Sequence, residues 1–251
     1  KVNVFSSNYP LYGDMSQPIM KILSTHTPNI EIYSIDEAFL DFRGFKYCDL
    51  EKEAFLLKQK IKRWTGIPVS IGIAPTKALA KIANKIAKKF VHKTRGVHVI
   101  KTEKQISKAL KWTKIEDVWG IGRQYKKLLI KNSVTTADNF CKLPDQWVKK
   151  NMSILGLRLK KDLKGNSCIS LDEENPGKKS IATTRSFKEV IKKYWELEER
   201  IVTYASICSQ KLRRQNSNCK AIIIFIRTSS HLPRNQQYYN SSLINLPNRT
   251  N

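Results

Sequence analysis

The sequence has 251 residues, 41% of them hydrophobic, which is enough for one large domain or two to three small ones with a buried core. The 46 Lys and Arg residues outnumber the 21 Asp and Glu residues and give a formal charge of +25. This excess predicts a polyanionic partner, although a lysine-rich solvated surface is an alternative explanation. We expect neither a transmembrane segment nor a signal peptide, and the lack of an initiator Met suggests a piece of a longer protein.

The cysteines and histidines do not form a recognisable chemical site. The five cysteines are odd in number, and no two of them have C-x-x-C spacing. The pattern therefore predicts neither a disulfide framework nor a zinc site, and a reducing cytoplasm is the expected setting. The five cysteines are Cys48, Cys141, Cys168, Cys208 and Cys219.

Helical and extended patterns alternate over the first hundred residues, which predicts a sheet domain with helices. In chain order we expect a helix over 14–24, a hairpin over 30–42, a helix over 50–64, a strand over 69–73, a helix from 77 to about 90 capped by Thr76, and a strand over 97–100. In the helix over 50–64, the spacing predicts that Phe55, Leu56, Ile61 and Trp64 face the core.

The remaining residues predict two further modules, so the expected fold class is multidomain α+β. Short helical patterns over 103–164 indicate a small all-helical domain, and the polar composition of 166–179 indicates a linker. After it we expect a strand over 181–187, a helix over 194–213, a strand over 221–226 and a weaker strand near 238–244. We also expect this last module to be incomplete at Asn251.

Two adjacent carboxylates are the first candidate for chemistry. Asp36 and Glu37 lie within Ser34–Asp41, and neighbouring side chains of a regular strand would point to opposite faces. They can converge only at the tip of a hairpin, where they would offer hard oxygen ligands to Mg²⁺. The segment therefore predicts a magnesium site for phosphoryl transfer, and an acidic solvent-facing turn is the alternative.

A basic helix face is the second candidate. Its lysines recur at three- and four-residue spacing opposite an apolar face, and phosphates would offset their mutual repulsion. A solvated helix face is the alternative. The lysines are Lys77, Lys81, Lys85 and Lys88, with Lys89 beside them.

A glycine-containing loop before a basic helix is the third candidate. Two glycines would let backbone N–H groups approach phosphates at a helix N-terminus, as in a helix-hairpin-helix element that binds DNA without reading its sequence. The residues expected to contact DNA are Trp119, Gly120, Ile121, Gly122, Arg123, Lys126 and Lys127, followed by Lys131.

In this order and spacing, the three segments resemble the Y-family (translesion) DNA polymerases. Ser34–Phe39 reads SIDEAF, Gly72–Lys89 reads GIAPTKALAKIANKIAKK, and Asp117–Arg123 reads DVWGIGR. The segments Phe5–Ser16, Ser186–Val190 and Phe225–Ser229 are similar to the UmuC type, that of bacterial DNA polymerase V, in particular.

The resemblance implies a role for each of these sites. Asp36 would be a catalytic carboxylate shared by two Mg²⁺ ions, Glu37 the adjacent catalytic carboxylate, and Lys88 the lysine that contacts the incoming triphosphate. The implied architecture is a palm over 1–100, a helix-hairpin-helix thumb over 101–166, a linker over 167–180 and a little-finger domain over 181–251.

The resemblance also implies parts that lie outside these residues. They are the first catalytic Asp, the fingers domain with its Tyr/Arg pair and the residue that excludes ribonucleotides, and the C-terminal clamp-binding tail. We therefore expect the 251-residue chain by itself not to extend a primer.

The leading functional hypothesis is DNA-directed nucleotidyl transfer past damaged bases in the SOS response, with primer-template DNA and dNTP as partners. A dimeric UmuD-type protein, a RecA filament and the sliding clamp are further partners implied by resemblance alone. A non-catalytic DNA-binding module or a degenerate relic of the same fold is the alternative. A helix-hairpin-helix glycosylase or nuclease is a third candidate, but it lacks a Lys/Asp pair after the loop.

Overall fold

The computed structural model describes residues 2–3, 5, 7–45, 48–171, 178–187 and 190–250. The chain divides into two compact units, Lys1–Glu173 and Glu174–Asn251, with the boundary inside the predicted linker. Part of that linker, residues 172–177, lies outside the described residues. So do Ser6, Lys188 and Glu189, which belong to the segments that resemble the UmuC type.

Small sheets and helices alternate in the first part of the first unit, as the sequence predicts. The strands β1 and β2 pair antiparallel, with Ile30 opposite Leu40, whereas β3 and β4 pair parallel, with Ile71 opposite Val97. The elements are α1 (Tyr9–Ser24), β1 (Ile30–Ile32), β2 (Ala38–Leu40), α2 (Leu50–Thr65), β3 (Ile71–Ile73), α3 (Lys77–Lys89), α4 (Val91–Thr94) and β4 (Val97–Val99).

Two details of the predicted helices differ from the structure. Helix α1 begins five residues before the predicted start, since the Asn8 side chain caps it by accepting a hydrogen bond from the Leu11 N–H group. In α2, Leu56 is 49% exposed and Trp64 is 66% exposed, so the prediction that they face the core is wrong. The prediction is confirmed for Ile61, which shares the buried face with Ala54 and Leu57, because β3 and α1 lie on that side.

The second part of the first unit is helical, as predicted, and contains α5 (Glu103–Trp112), α6 (Arg123–Lys131), α7 (Ala137–Lys142) and α8 (Asp145–Leu163). Ser153 interrupts α8 with a non-helical φ of 62°. One continuous apolar core joins these helices to α3, with Leu79, Phe140 and Leu163 fully buried at its centre. This shared core fixes the position of α3 relative to the loop before α6.

The described part of the second unit includes a long helix and an antiparallel hairpin, with a short 3-10 helix at Arg234–Gln236. Its elements are α9 (Tyr194–Arg214), β5 (Cys219–Arg227) and β6 (Tyr239–Thr250). The predicted strand over 181–187 is wrong, because these residues form no ladder with another strand, and an extended pattern needs a partner for its backbone groups. No helix in the described parts of the chain is long and apolar enough to cross a membrane.

Candidate functional site

The two adjacent carboxylates lie in the turn between β1 and β2, as the sequence predicts. The turn is closed by the N–H groups of Tyr33 and Ser34, which both donate to the Glu37 carbonyl oxygen at 3.0 Å. The Ser34 hydroxyl donates to Asp36 Oδ1 at 2.6 Å and accepts from the Asp36 N–H group at 3.3 Å. Asp36 is exposed and Glu37 is half-buried. A short, internally bonded turn therefore presents both carboxyl groups.

The open end of this hairpin is also held by hydrogen bonds. The Thr27 hydroxyl donates to the Asp41 carbonyl oxygen at 2.8 Å, and the Asp41 N–H group donates to the Asn29 carbonyl oxygen at 2.9 Å. The Arg43 guanidinium donates to the Asp41 carboxylate and lowers the pKa of that carboxyl group. With both ends fixed, the hairpin has little freedom to change the position of its turn.

The basic face of α3 is largely paired with carboxylates. Lys77 Nζ lies 2.6 Å from Glu31 Oε2, and its side chain is only 9% exposed. One turn further along, Lys81 Nζ lies 2.6 Å from Glu37 Oε1. The next lysine in this row, Lys85, pairs with Asp117. These lysines share one face, as predicted, but the structure directs them to acidic groups of this same unit, and DNA contacts by them stay a prediction.

Lys88 differs from the three lysines before it. It is exposed, and it lines an open cleft of about 1630 Å³ that also contains Asp36 and Glu37. The cleft is bordered by α1, β2, α2, β3 and α3. Lys88 and the two carboxylates thus line the same cleft.

The predicted glycine loop precedes α6 and has the expected backbone. Gly120 adopts a φ of 87°, in the left-handed region that favours glycine, and Gly122 is the N-cap of α6. Ile121 is buried as an apolar anchor. Arg123 and Lys127 are exposed, whereas Lys126 is paired with Glu116. The loop therefore leaves two cations and a helix N-terminus at the surface.

Trp119 points from this loop toward the carboxylate hairpin. Its ring lies 5.7 Å from the Tyr33 ring and 5.8 Å from the Phe39 ring, measured between centroids. Lys77 Nζ lies over the Phe39 and Trp119 rings at 4.8 and 5.5 Å. Sequence reasoning missed this cluster, because no local pattern pairs Trp119 with rings that lie 86 and 80 positions before it.

The described residues contain no group of three or more His, Cys, Asp or Glu side chains able to hold a metal ion. The carboxylates at the turn are those of Asp36 and Glu37. Mg²⁺ is often held by only one or two protein carboxylates, with water and substrate phosphates completing its shell. The oxygen donors at the turn fit that arrangement.

Two sequence models of one family match this chain. Residues 1–85 match the model described as the impB/mucB/samB family, and residues 178–251 match the C-terminal domain model of the same family.

Individual relatives agree with these matches. The chain is 37% identical to Protein ImpB of Salmonella typhimurium, over 98% of this chain and 59% of that protein. It is 36% identical to Protein UmuC of the same species, over 96% of this chain and 58% of that protein. It is 26% identical to DNA polymerase IV of Treponema denticola, over 86% of this chain and 54% of that protein. The chain thus spans less than two thirds of each of these relatives.

Solved structures show the same fold. A Y-family DNA polymerase chimera of Dbh and Dpo4 superposes with a TM-score of 0.74 at 23% identity, covering 96% of this chain and 67% of the chimera. DinB from Sulfolobus solfataricus gives a TM-score of 0.54, also at 23% identity and with the same two coverages. The arrangement of elements described above is therefore that of Y-family polymerases.

Proposed function

Because the chain belongs to the impB/mucB/samB family, we propose that it forms part of a DNA-directed DNA polymerase of the Y family and UmuC type. The proposed reaction is template-directed nucleotidyl transfer past damaged bases in DNA repair. The observation that carries this proposal is the presentation of Asp36 and Glu37, on one stiff turn, into the same cleft as Lys88.

Asp36 and Glu37 would hold the magnesium ions of this reaction. When bound, magnesium neutralises the charge that develops on the phosphates during phosphoryl transfer. Asp36 is exposed and offers a carboxylate to the cleft, while its backbone is fixed by the bond to Ser34. Glu37 is the less accessible ligand, since one of its oxygens is already paired with Lys81.

The other site residues would bind substrates. Lys88 is placed to bind the triphosphate of an incoming nucleotide, as an exposed cation on the wall of the cleft. The backbone of Gly120–Gly122, together with Arg123 and Lys127, would bind DNA phosphates without reading the sequence. Lys77, Lys81, Lys85 and Lys126 would contribute mainly by fixing acidic neighbours.

The domain assignment and the further partners also belong to this proposal. The palm, thumb, linker and little-finger ranges follow from the family resemblance, as do binding of primer-template DNA and dNTP. A UmuD-type dimer, a RecA filament and a sliding clamp are proposed partners of the whole protein. The cytoplasm is the proposed location, since the substrate would be chromosomal DNA.

Primer extension across an abasic site by a protein that contains this chain tests the proposal. We expect Asp36→Ala to abolish incorporation, because a lost metal ligand removes several kcal/mol of transition-state stabilisation. DNA affinity should stay close to wild type, since Asp36 lies outside the proposed phosphate contacts. Asp138→Ala on α7 is a control with the same change in charge, since Asp138 pairs with Lys142 far from the turn in sequence. Extension that persists in Asp36→Ala would contradict the proposal.

A further inference from the structure

The contact between Lys81 and Glu37 has a consequence for metal binding. Lys81 Nζ lies 2.6 Å from Glu37 Oε1, and the two side chains are only 25% and 27% exposed. An ammonium ion at this distance forms a charge-assisted hydrogen bond. Partial burial reduces the screening that makes most surface ion pairs weak. A candidate metal ligand is therefore occupied by a cation of the protein itself.

Both partners project from fixed backbone. Lys81 lies on α3 between Leu79 and Ile82, which are 0% and 2% exposed in the main core. Glu37 closes its turn by accepting two backbone hydrogen bonds. The Lys81 ammonium also lies 5.6 Å from the centroid of the Tyr33 ring, a second contact that holds the charge beside the turn. The pairing is thus a property of how α3 packs near the hairpin.

The charges at the turn partly cancel. Asp36 and Glu37 together carry two negative charges, and Lys81 adds one positive charge at the Glu37 carboxylate. A divalent ion bound by these carboxylates would lie within a few ångströms of the ammonium ion and be repelled by it. Coulomb's law predicts that such a repulsion weakens divalent binding by about tenfold even at the dielectric constant of water.

We propose that Lys81 is a positioning residue that acts as an internal counter-ion for Glu37. It holds the carboxylate in place when no metal is bound and competes with a divalent cation for it. The proposal rests on the proposed function, because it assumes that Asp36 and Glu37 are metal ligands. It assigns Lys81 to the metal-binding turn, instead of to the DNA contact that the spacing along α3 predicts.

Titration of the 251-residue chain with Mn²⁺, followed by electron paramagnetic resonance of the free ion, tests this role. We expect Lys81→Met and Lys81→Gln to bind Mn²⁺ about tenfold more tightly than wild type, because both remove the competing charge. Lys81→Arg keeps the charge and should leave the affinity near wild type. Testing both neutral variants separates charge from packing, since Gln retains a hydrogen-bond donor and Met does not.

Lys85→Met is the matched control. Lys85 lies four residues after Lys81 on α3 and pairs with Asp117. The Lys85→Met variant therefore makes the same change in net charge, but at an ion pair outside the Asp36–Glu37 turn. We expect its Mn²⁺ affinity to change less than that of Lys81→Met. Adding Glu37→Gln to Lys81→Met should abolish the gain, which shows that the tighter binding uses Glu37. Circular dichroism and thermal unfolding of each variant establish that it is folded.

Mn²⁺ affinity that is unchanged or lowered in folded Lys81→Met or Lys81→Gln would overturn the proposal. So would an equal gain in Lys85→Met, because the effect would then come from net charge alone. Failure of the proposed function has a different signature. In that case the gain in Mn²⁺ affinity would be present, while Asp36→Ala would still extend primers in the longer protein.

Discussion

The indole N–H group of Trp119 donates a hydrogen bond to the hydroxyl of Tyr33 at 2.9 Å, across 86 residues of sequence. Trp119 lies in the glycine loop before α6, and Tyr33 lies at the start of the carboxylate turn. Their rings are also in edge contact. The contact joins the candidate DNA-binding loop to the candidate catalytic turn. Movement of one of these segments would therefore displace the other.

The Tyr33–Trp119 contact should contribute measurably to stability. Tyr33→Phe removes one hydrogen bond but keeps the ring, and we expect it to lower the free energy of unfolding by about 1 kcal/mol. Trp119→Ala also removes the ring contacts and should cost about 2 kcal/mol or more. Urea denaturation measures both. Trp64→Ala is the control. Trp64 is 66% exposed on α2, so its removal should lower the free energy of unfolding much less.

Gly72 should not tolerate a side chain. A Cβ atom at this position of β3 would lie 2.1 Å from the Asn84 backbone nitrogen and 2.4 Å from the Ala80 carbonyl oxygen. Both are backbone atoms of α3, which the main core holds in place, so we expect Gly72→Ala to destabilise the protein by about 3 kcal/mol. Gly13→Ala in α1, where a Cβ meets nothing within 4 Å, should instead stabilise it by about 0.5 kcal/mol. Equal thermal stability of the two variants would contradict this expectation.

Asp162 fixes the start of α3 from another helix. Its side chain is fully buried, and its carboxylate accepts hydrogen bonds from the N–H groups of Ala78 at 2.9 Å and Cys168 at 3.1 Å. Asp162→Ala leaves these donors without that acceptor and should cost about 2 to 3 kcal/mol of unfolding free energy. Asp162→Asn keeps one acceptor oxygen and should cost less. If chemical denaturation gives equal losses for the two variants, the acceptor role is wrong.

Cys141 should resist thiol reagents. Burial raises the pKa of its thiol to about 11, so the reactive thiolate is scarce at pH 8. We expect mass spectrometry after brief iodoacetamide treatment to show Cys48 and Cys219, which are half-buried, modified before Cys141. The raised pKa also means that unfolding becomes more favourable as pH rises through 9 toward 11, where the thiol ionises in the unfolded chain first. Labelling of Cys141 at the same rate as the others would contradict its burial.

DNA binding by the 251-residue chain should depend strongly on salt. Each neutralised phosphate contributes a slope of about 0.9 to the fall of log affinity with log salt concentration. The double variant Lys127→Ala/Lys131→Ala removes two exposed cations and should therefore reduce the slope by about 2. It should also lower the affinity for all DNA sequences by the same factor. Gel-shift titrations at several salt concentrations measure it. Lys52→Ala/Lys62→Ala on α2 makes the same change in charge and should alter the slope less.

We also expect this chain by itself to bind a primer-template without extending it. The described residues contain no group of three or more His, Cys, Asp or Glu side chains able to hold a metal ion, so we expect the two carboxylates at the turn to hold a metal pair weakly. A primer-extension assay on the sample used for gel shifts measures this. Salt-independent binding would contradict the electrostatic interpretation, and extension by the purified chain would show that the catalytic donors are more complete than the turn alone.

Local patterns in the sequence predicted much of the secondary structure and the place of the carboxylate turn. The helix after Thr76 begins and ends within one residue of expectation, because an N-cap side chain and a 3.6-residue apolar period act within a few residues. The alternation around Asp36 and Glu37 likewise predicted a hairpin turn that the structure contains. Both features depend on neighbours in sequence, which the sequence itself displays.

The ion-pair partners of these side chains and the pairing of the strands could be learned only from the tertiary structure. The lysines of α3 repeat as a phosphate-binding face would, but Lys77 and Lys81 pair with Glu31 and Glu37, 46 and 44 residues away. Residues 181–187 have a strand-like composition but form no ladder with any strand of the described chain. Ion pairs and ladders need two segments close in space, and the free energy of packing a shared core determines which segments meet.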